Sequence, residues 1–294
     1  MFIVFSTLKN LFTEHYIIGD ILNRSSAILL LIITGLLWST GGFVIKLIAW
    51  HPMIIAGLRS GLTALIIVLY NKPSTLRFSY NTWAGAFCYT LMVICFVSAN
   101  KTTTAGNVIL IQFTAPVYVA LFGFSFLGEK STKIDWIAIF IILLGLSFFF
   151  IDEISFNQLW GKLLALFSGF GFAGLTLFMR KQKHGRPIDS VLLGNMITFL
   201  LCVPFYFDGI SYDIRSWSLI LFLGIIQLGL PYILYSIAIR HVSALDAIIY
   251  PVVEPICSPV FALLFLGEYM STTAQIGGAL VILGIVGRGL LKEN

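Results

Sequence analysis

Apolar residues along this chain form long runs that are separated by short polar connections. A helix that crosses the hydrocarbon core of a bilayer needs about 20 mainly apolar residues, and ten of the runs approach or exceed that length. The ten runs cover residues 25–47, 52–71, 82–101, 105–127, 133–151, 160–180, 188–207, 216–239, 244–267 and 273–291. The pattern therefore predicts an all-α, polytopic membrane protein of ten transmembrane helices.

The composition supports this class of protein. Hydrophobic residues make up 59% of the 294 residues and charged residues 11%, whereas a soluble domain carries about 25% charged residues. Little of the chain is left to form a soluble domain. We attribute the formal net charge of +5 to basic residues in loops that face the cytoplasm, because such loops carry an excess of Lys and Arg in membrane proteins. The positions of these residues therefore indicate how the chain is oriented in the membrane. We therefore expect no nucleic-acid partner.

Lysines and arginines divide unevenly between the two sides of the predicted ten-helix topology. With the N-terminus inside, thirteen basic residues fall on the cytoplasmic side and four on the other, while Arg59 lies within a helix. The cytoplasmic set is Lys9, Arg24, Lys72, Arg77, Lys130, Lys133, Arg180, Lys181, Lys183, Arg186, Arg240, Arg288 and Lys292. The opposite set is Lys46, Lys101, Lys162 and Arg215. This bias predicts that both termini are cytoplasmic.

The two halves of the chain repeat one another. When the chain is shifted by 139 residues, Pro116 falls on Pro255, and Phe126-Leu-Gly-Glu129 falls on Phe265-Leu-Gly-Glu268 without a gap. Five helices per repeat is an odd number, so the two copies must cross the bilayer in opposite directions, as inverted repeats. The predicted units are an N-terminal cytoplasmic or interfacial segment at residues 1–24, a first five-helix repeat at 25–151 and a second at 152–294.

The ninth apolar run contains a carboxylate and three prolines. Pro251, Pro255 and Pro259 follow one another at four-residue spacing, and Glu254 lies among them. Within a helix, each proline leaves the carbonyl four residues earlier without its N–H partner, so these prolines and Pro116 are predicted helix kinks. Free carbonyls and an ionisable group are tolerated at membrane depth where they meet protein or a water-filled cavity. The run is therefore predicted to line a polar pathway.

Several motifs in this order resemble a known family. The segment Leu37-Trp38-Ser-Thr-Gly-Gly-Phe-Val-Ile-Lys46, Arg59 in the second helix and the duplicated proline with Leu-Gly-Glu resemble the EamA-type transporters of the drug/metabolite transporter superfamily. The resemblance covers roughly residues 25–291, although the sixth helix has no tryptophan that matches Trp38. It implies a ten-helix carrier of the inner membrane that moves small metabolites by alternating access, often outward. Members of this family handle amino acids, related metabolites, nucleosides and drugs.

Two charged residues within the predicted helices are the main candidates for substrate binding or coupling. The Glu254 carboxyl group is expected to bind an amine-bearing substrate or to carry a coupling proton. The structural alternative is an ion pair, with Arg59 as the obvious partner, or a protonated, hydrogen-bonded acid. The Arg59 guanidinium is expected to pair with a substrate carboxylate through its planar fork, or else to join helices. The sequence leaves both pairs of alternatives open.

Trp38, Gln112 and Tyr250 complete the predicted site. Trp38 and Tyr250 each adjoin a motif, and aromatic residues within a span need a partner for their N–H or O–H groups. Gln112 precedes Pro116 by one helical turn, which makes it a better candidate for the cavity than the other intramembrane amides. Packing between helices is the alternative for each of the three.

Glu129 and Glu268 end two of the predicted helices, where a carboxylate opposes the helix dipole. Their duplication predicts a shared structural role, in which each carboxylate bonds the N-terminal amides of the next helix across a tight turn. We favour this role over contact with substrate.

Signatures of other chemistry are absent from the sequence. It contains no Walker phosphate loop, no His-Glu-x-x-His motif and no Gly-x-Ser-x-Gly motif. The four cysteines lie inside apolar runs without metal-site spacing, so we expect free thiols. We therefore expect no catalytic residues, no metal and no cofactor, and a chain that is not an enzyme.

The sequence as a whole favours a secondary transporter of small metabolites, which exports amino acids or related compounds and works without ATP. The alternative on the same fold is a flippase for a lipid-linked substrate, which would need a lateral apolar opening between helices. An intramembrane enzyme would need catalytic residues clustered near one face, and the sequence offers scattered polar groups. The expected partners are a small-molecule substrate and the lipid bilayer, with a homodimer through the glycine-rich last helix as an alternative to packing within the chain.

Overall fold

The computed structural model describes residues 22–71, 79–151, 156–207, 210, 212–267, 269 and 271–292. Within these ranges the regular secondary structure is helical, and no strand is present. The α-helices are α1 (Arg24–Trp38), α2 (Gly41–Leu47), α3 (Pro52–Asn71), α4 (Tyr80–Thr102), α5 (Ala105–Gln112), α6 (Ala115–Leu127), α7 (Lys133–Ile151), α8 (Phe156–Lys181), α9 (Ile188–Leu201), α10 (Ile214–Phe222), α11 (Leu230–Ala238), α12 (Ala244–Ile249), α13 (Val253–Leu266) and α14 (Thr272–Lys292). Most of the N-terminal segment predicted at residues 1–24, and Glu268, lie outside the described residues.

Six helical stretches among the described residues are long and apolar enough to cross a membrane. They are Arg24–Leu47, Pro52–Tyr70, Tyr80–Thr102, Ala105–Leu127, Leu159–Lys181 and Ile214–Ala238. The chain is therefore a multi-pass membrane protein. The other four predicted runs coincide with α7, with the shorter helix α9, with the interrupted pair α12 and α13, and with α14. Length and apolar composition together thus support six spans among the described residues and do not establish the predicted count of ten.

Several of the long stretches contain a break, and two of the breaks lie beside predicted kink prolines. Between α5 and α6 the chain leaves the helix at Phe113 and Thr114, and Pro116 then occupies the first turn of α6, where its missing N–H costs nothing. Between α12 and α13 a 3₁₀ turn spans Tyr250–Val252, with Pro251 at φ −66° and ψ 16°. Helix α13 then continues through Pro255 and Pro259.

Helix α1 packs directly against the 3₁₀ turn at Pro251. A Cβ atom added at Gly35 would lie 2.7 Å from the carbonyl oxygen of Pro251, so only glycine permits this approach. The close approach of α1 therefore coincides with the part of the proline-rich run that departs from helical geometry.

A π-helix, Leu223–Gly229, separates α10 from α11. It immediately precedes Pro231, which cannot donate to the carbonyl four residues earlier. The carbonyl of Gly224 within the π-helix accepts a hydrogen bond from the Thr63 hydroxyl at 2.7 Å. A Cβ at Gly224 would lie 3.0 Å from the carbonyl oxygen of Arg59, so this glycine lets α3 approach closely. The contact places Arg59 beside the polar side chain of the π-helix, Gln227.

Helices α7 and α14 pack through small residues. A Cβ at Gly145 would lie 2.6 Å from the carbonyl oxygen of Gly277, and a Cβ at Gly284 would lie 3.1 Å from that of Ala138. Part of the glycine face of the last helix is therefore occupied within the chain, whereas a Cβ added at Gly287 or Gly289 would meet no described atom within 4 Å. The alternative use of this face in a homodimer stays a prediction. All four cysteines are free thiols, as expected from the sequence.

Candidate functional site

A central cavity lies between the helices. Its wall combines segments that are far apart in the sequence, from α1 through α13. The lining residues are Trp38, Arg59, Met92, Val93, Phe96, Gln112, Phe172, Gln227, Leu228, Tyr232 and Glu254. The cavity therefore brings together two buried charges, two amides and a set of aromatic side chains.

Four of the five predicted binding or coupling residues line this cavity. They are Glu254, Arg59, Trp38 and Gln112. The fifth, Tyr250, lies half-buried in the 3₁₀ turn before α13 and is not among the described residues that line the cavity. The turn at Pro251 separates Tyr250 from Glu254, so the two residues do not share one helix face.

Arg59 is 1% exposed in the middle of α3. Its Nη1 donates to Oε1 of Gln227 at 3.4 Å, and its Cζ lies 5.9 Å from the centre of the Phe96 ring. Within the described part of the chain, no carboxylate lies within ion-pairing distance of Arg59, and its Nε has no hydrogen-bond partner. The expected structural pair between Arg59 and Glu254 is therefore not formed in this structure.

Glu254 is 5% exposed and lies in the first turn of α13. The sequence suggested a position in the middle of a long helix, but the break at Pro251 places the residue near a new helix N-terminus. Free N–H groups and the helix dipole favour a negative charge there. Among the described residues, no ion pair or hydrogen bond reaches its carboxylate, which borders the cavity.

Aromatic rings form one wall of the cavity. The Trp38 ring lies 5.5 Å from Phe172 and 5.1 Å from Tyr232, measured between ring centres, and Tyr232 lies 5.1 Å from Tyr89. The Tyr232 hydroxyl donates to the sulfur of Met92 at 3.3 Å. Edge-to-face and tilted contacts of this kind add to the packing energy and hold the rings in place.

A weak pattern in the sequence distinguishes two cavity aromatic residues that were not predicted. Phe172 precedes Arg180 by eight residues, as Trp38 precedes Lys46, so the two rings occupy equivalent places before a basic residue. Tyr232 follows Pro231, which itself follows an intramembrane glutamine by four residues. Gln112 and Pro116 in the first half of the chain are also four residues apart, and this spacing is the reason that Gln112 was predicted to line the cavity.

The two cavity amides have different partners. Nε2 of Gln112 donates to the Ser168 hydroxyl at 2.7 Å, which fixes Gln112 against α8. Gln227 accepts from Arg59 and donates through Nε2 to the carbonyl of Trp38 at 3.4 Å. Gln227 therefore holds the arginine, although the sequence favoured Gln112 as the cavity amide.

A second set of buried charges lies where α7, α12 and α14 meet. Arg288 donates to Asp135 through Nε and lies 3.3 Å from Asp246 through Nη1, and Arg24 also contacts Asp246, at 3.4 Å. We call these four residues the α14 charge cluster. The side chains of Arg288, Asp135 and Asp246 are each less than 10% exposed. This cluster was not predicted from the sequence.

Glu129 has the kind of structural role that its position suggested, with different partners. Its Oε2 accepts from the amide of Ala244, at the start of α12, at 2.8 Å, and its Oε1 accepts from Arg180 Nε at 2.8 Å. The prediction that it bonds the next helix, α7, is wrong, because Thr132 and Asp135 already cap that helix. Glu129 instead joins α6, α8 and α12.

Metal binding finds no support in the side-chain arrangement. Across the described ranges, no three His, Cys, Asp or Glu side chains come together in a way that could hold an ion.

Comparisons with known proteins agree with this architecture. The profile of the EamA-like transporter family matches the chain twice, at residues 25–151 and 159–288. The threonine/homoserine exporter RhtA of Escherichia coli strain K12 is 26% identical over 245 residues, which cover 80% of this chain and 81% of that protein. The uncharacterized transporter YwfM of Bacillus subtilis strain 168 is 26% identical, with 69% and 72% covered. One solved crystal structure shares the fold, with a TM-score of 0.71 at 18% identity over 92% of this chain and 99% of that one.

Proposed function

Because this chain belongs to the EamA-like transporter family, and is a transporter rather than an enzyme, we propose that it exports amino acids or related small metabolites by alternating access. The observation that carries the proposal is the central cavity, which takes its wall from both matched regions. Trp38 and Arg59 come from the first region, and Tyr232 and Glu254 from the second. Transporters built from inverted repeats place their substrate site at such an interface.

The proposed architecture has ten transmembrane helices in two inverted five-helix repeats, with both termini in the cytoplasm. Matching helix caps support the repeat. The Thr104 hydroxyl accepts from the amide of Asn107 at the start of α5, and the Ser243 hydroxyl accepts from the amide of Asp246 at the start of α12. The two pairs are separated by the same 139 residues as the duplicated motifs. The membrane is proposed to be the inner membrane.

The amino-acid class is supported by the similarity to an exporter named for threonine and homoserine. The sequence contains no phosphate-binding loop, so the energy is proposed to come from a gradient of substrate or of ions. Glu254 is the proposed site of any coupling to protons, because it is a buried carboxylate on the cavity wall.

Transport by purified protein in liposomes tests this proposal. The panel would contain labelled threonine, homoserine, other amino acids, nucleosides and a cationic dye, with and without an imposed pH gradient. We expect at least one amino acid to move faster than in protein-free liposomes. Failure of every amino acid, together with movement of a lipid-linked substrate, would replace this function with that of a flippase. The Glu254→Gln variant, assayed under the same gradient, tests the coupling role.

A further inference from the structure

The cavity contains two ionisable side chains of opposite type that do not pair with each other. Arg59 and Glu254 are both buried, both line the cavity, and within the described ranges neither is paired with an oppositely charged side chain. A buried charge without a partner is unfavourable, and the protein has residues elsewhere that pair such charges, as in the α14 charge cluster. The missing partners of these two groups are therefore expected in whatever occupies the cavity.

We infer that the cavity recognises a zwitterionic α-amino acid, whose carboxylate binds Arg59 and whose ammonium group binds Glu254. This inference rests on the proposed function and names the substrate class for the same site. The guanidinium presents N–H groups in a planar fork that matches a carboxylate, and its Nε has no acceptor among the described residues. Gln227 holds the opposite side of the fork through Nη1. When it is ionised, the Glu254 carboxylate only accepts hydrogen bonds, as an ammonium group requires.

A ligand with a single charge would pair with one of the two side chains and leave the other buried without an oppositely charged partner. A cation such as an amine or a dye would pair with Glu254 but face the positive charge of Arg59. An anion such as an organic acid or a phosphate would pair with Arg59 but face the negative charge of Glu254. An uncharged nucleoside would neutralise neither. A zwitterion is the class of ligand that pairs both charges and adds no net charge to the cavity.

The substrate side chain is assigned to the aromatic wall. Trp38, Phe172 and Tyr232 present apolar surface to the cavity, and their contacts with one another hold that surface in position. The two charges therefore select the backbone groups of the amino acid, and the rings contact its side chain.

Binding to the purified full-length protein in detergent tests this assignment, because the ligand charges can be removed one at a time. The probes are L-threonine, L-leucine and L-phenylalanine. Each is compared with its amide, which lacks the carboxylate charge, and with its α-hydroxy acid, which lacks the ammonium charge. Isothermal titration gives the dissociation constants. For at least one of the three amino acids, we expect the free form to bind at least about tenfold more tightly than both derivatives.

Two variants separate the roles of the two residues. In Glu254→Gln we expect the preference for the amino acid over its hydroxy acid to fall to within about threefold, while the preference over its amide remains. In Arg59→Gln we expect the reverse. Loss of folding cannot produce these opposite changes in selectivity. Glu129→Gln, which removes a carboxylate outside the cavity, serves as the matched control and is expected to retain both preferences.

The outcomes distinguish this inference from the proposed function. If the amides and hydroxy acids bind as tightly as the amino acids, or if the two variants change the same preference, the assignment of the two charges is wrong. Transport of an amino acid in liposomes would then still support the proposed function. If none of the three amino acids binds, the zwitterion assignment is also overturned. If in addition no amino acid moves in the liposome panel, the proposed function fails with it.

Discussion

The α14 charge cluster and the central cavity each contain a buried arginine, with two buried carboxylates in the cluster and one buried carboxyl group in the cavity lining, yet these groups are arranged differently. Arg288 contacts both Asp135 and Asp246. Arg59 contacts the neutral amide of Gln227, and it forms no ion pair within the part of the chain that the structure describes. Arginine and carboxylate side chains thus pair with each other in the cluster, whereas in the cavity they line the wall without pairing.

This difference indicates what each set of charges does. The paired charges of the cluster link the start of α7, the start of α12 and the end of α14, so they stabilise one arrangement of these helices. The charges around the cavity contribute little to such an arrangement, because each pays the cost of burial without a charged partner. We therefore expect the cluster to matter chiefly for stability and the cavity residues chiefly for transport.

The largest expected effect comes from breaking the cluster. Arg288→Met leaves the carboxylates of Asp135 and Asp246 buried without their shared cation, and removal of one partner from a buried ion pair costs about 3–5 kcal/mol. The free energy of unfolding in detergent, measured by denaturant titration, should fall by that amount. Arg215→Met, which changes an exposed arginine in α10, is the matched control and should unfold like the native protein. Equal stability of the two variants would show that the cluster is not structural.

The next effect should appear in transport and not in stability. Arg59→Gln removes a buried charge that has no charged partner among the described residues, so the free energy of unfolding should change by less than about 1 kcal/mol or rise. Transport of amino acid in liposomes should fall about 100-fold, which corresponds to about 2.7 kcal/mol. A variant that unfolds as readily as Arg288→Met would contradict the distinction between the two regions.

The smallest effect should come from the residue that holds Arg59. Gln227→Leu removes the amide oxygen that accepts from Nη1, and a hydrogen bond to a charged group contributes about 1.5 kcal/mol or more. We expect transport to fall about tenfold. Because Gln227 acts through Arg59, the double variant with Arg59→Gln should transport no worse than Arg59→Gln alone. Additive losses in the double variant would mean that Gln227 has a separate role.

Much of this arrangement could be predicted from the sequence, because charges within apolar runs are costly and need a specific reason to be there. Glu254 and Arg59 were identified on that ground, and both line the cavity. The bounds of α7 coincide with those of the predicted run at residues 133–151, since a polar connection marks its start. In each of these cases, the residue type and its surroundings in the sequence allow few structural outcomes.

Other features depend on packing between distant segments and had no clear signal in the sequence. Tyr232 and Phe172 are aromatic residues among many in apolar runs, and only the fold selects them for the cavity. The break at Pro251 lies where Gly35 of α1 approaches the chain, and the spacing of the prolines alone did not indicate which of them would interrupt the helix. The partners of Glu129 were mispredicted for the same reason, because the amide that it bonds belongs to a helix 115 residues away.

The π-helix Leu223–Gly229 has a consequence for how this protein can be compared with its relatives. A π-helical turn contains an extra residue, and deletion of one residue would rotate the preceding and following segments relative to each other by about 100°. Gln227 and Tyr232 reach the same cavity only in the present register. A relative that is one residue shorter here would present a different wall even if every aligned residue were identical. Insertions and deletions in this segment are therefore as informative about substrate preference as substitutions are.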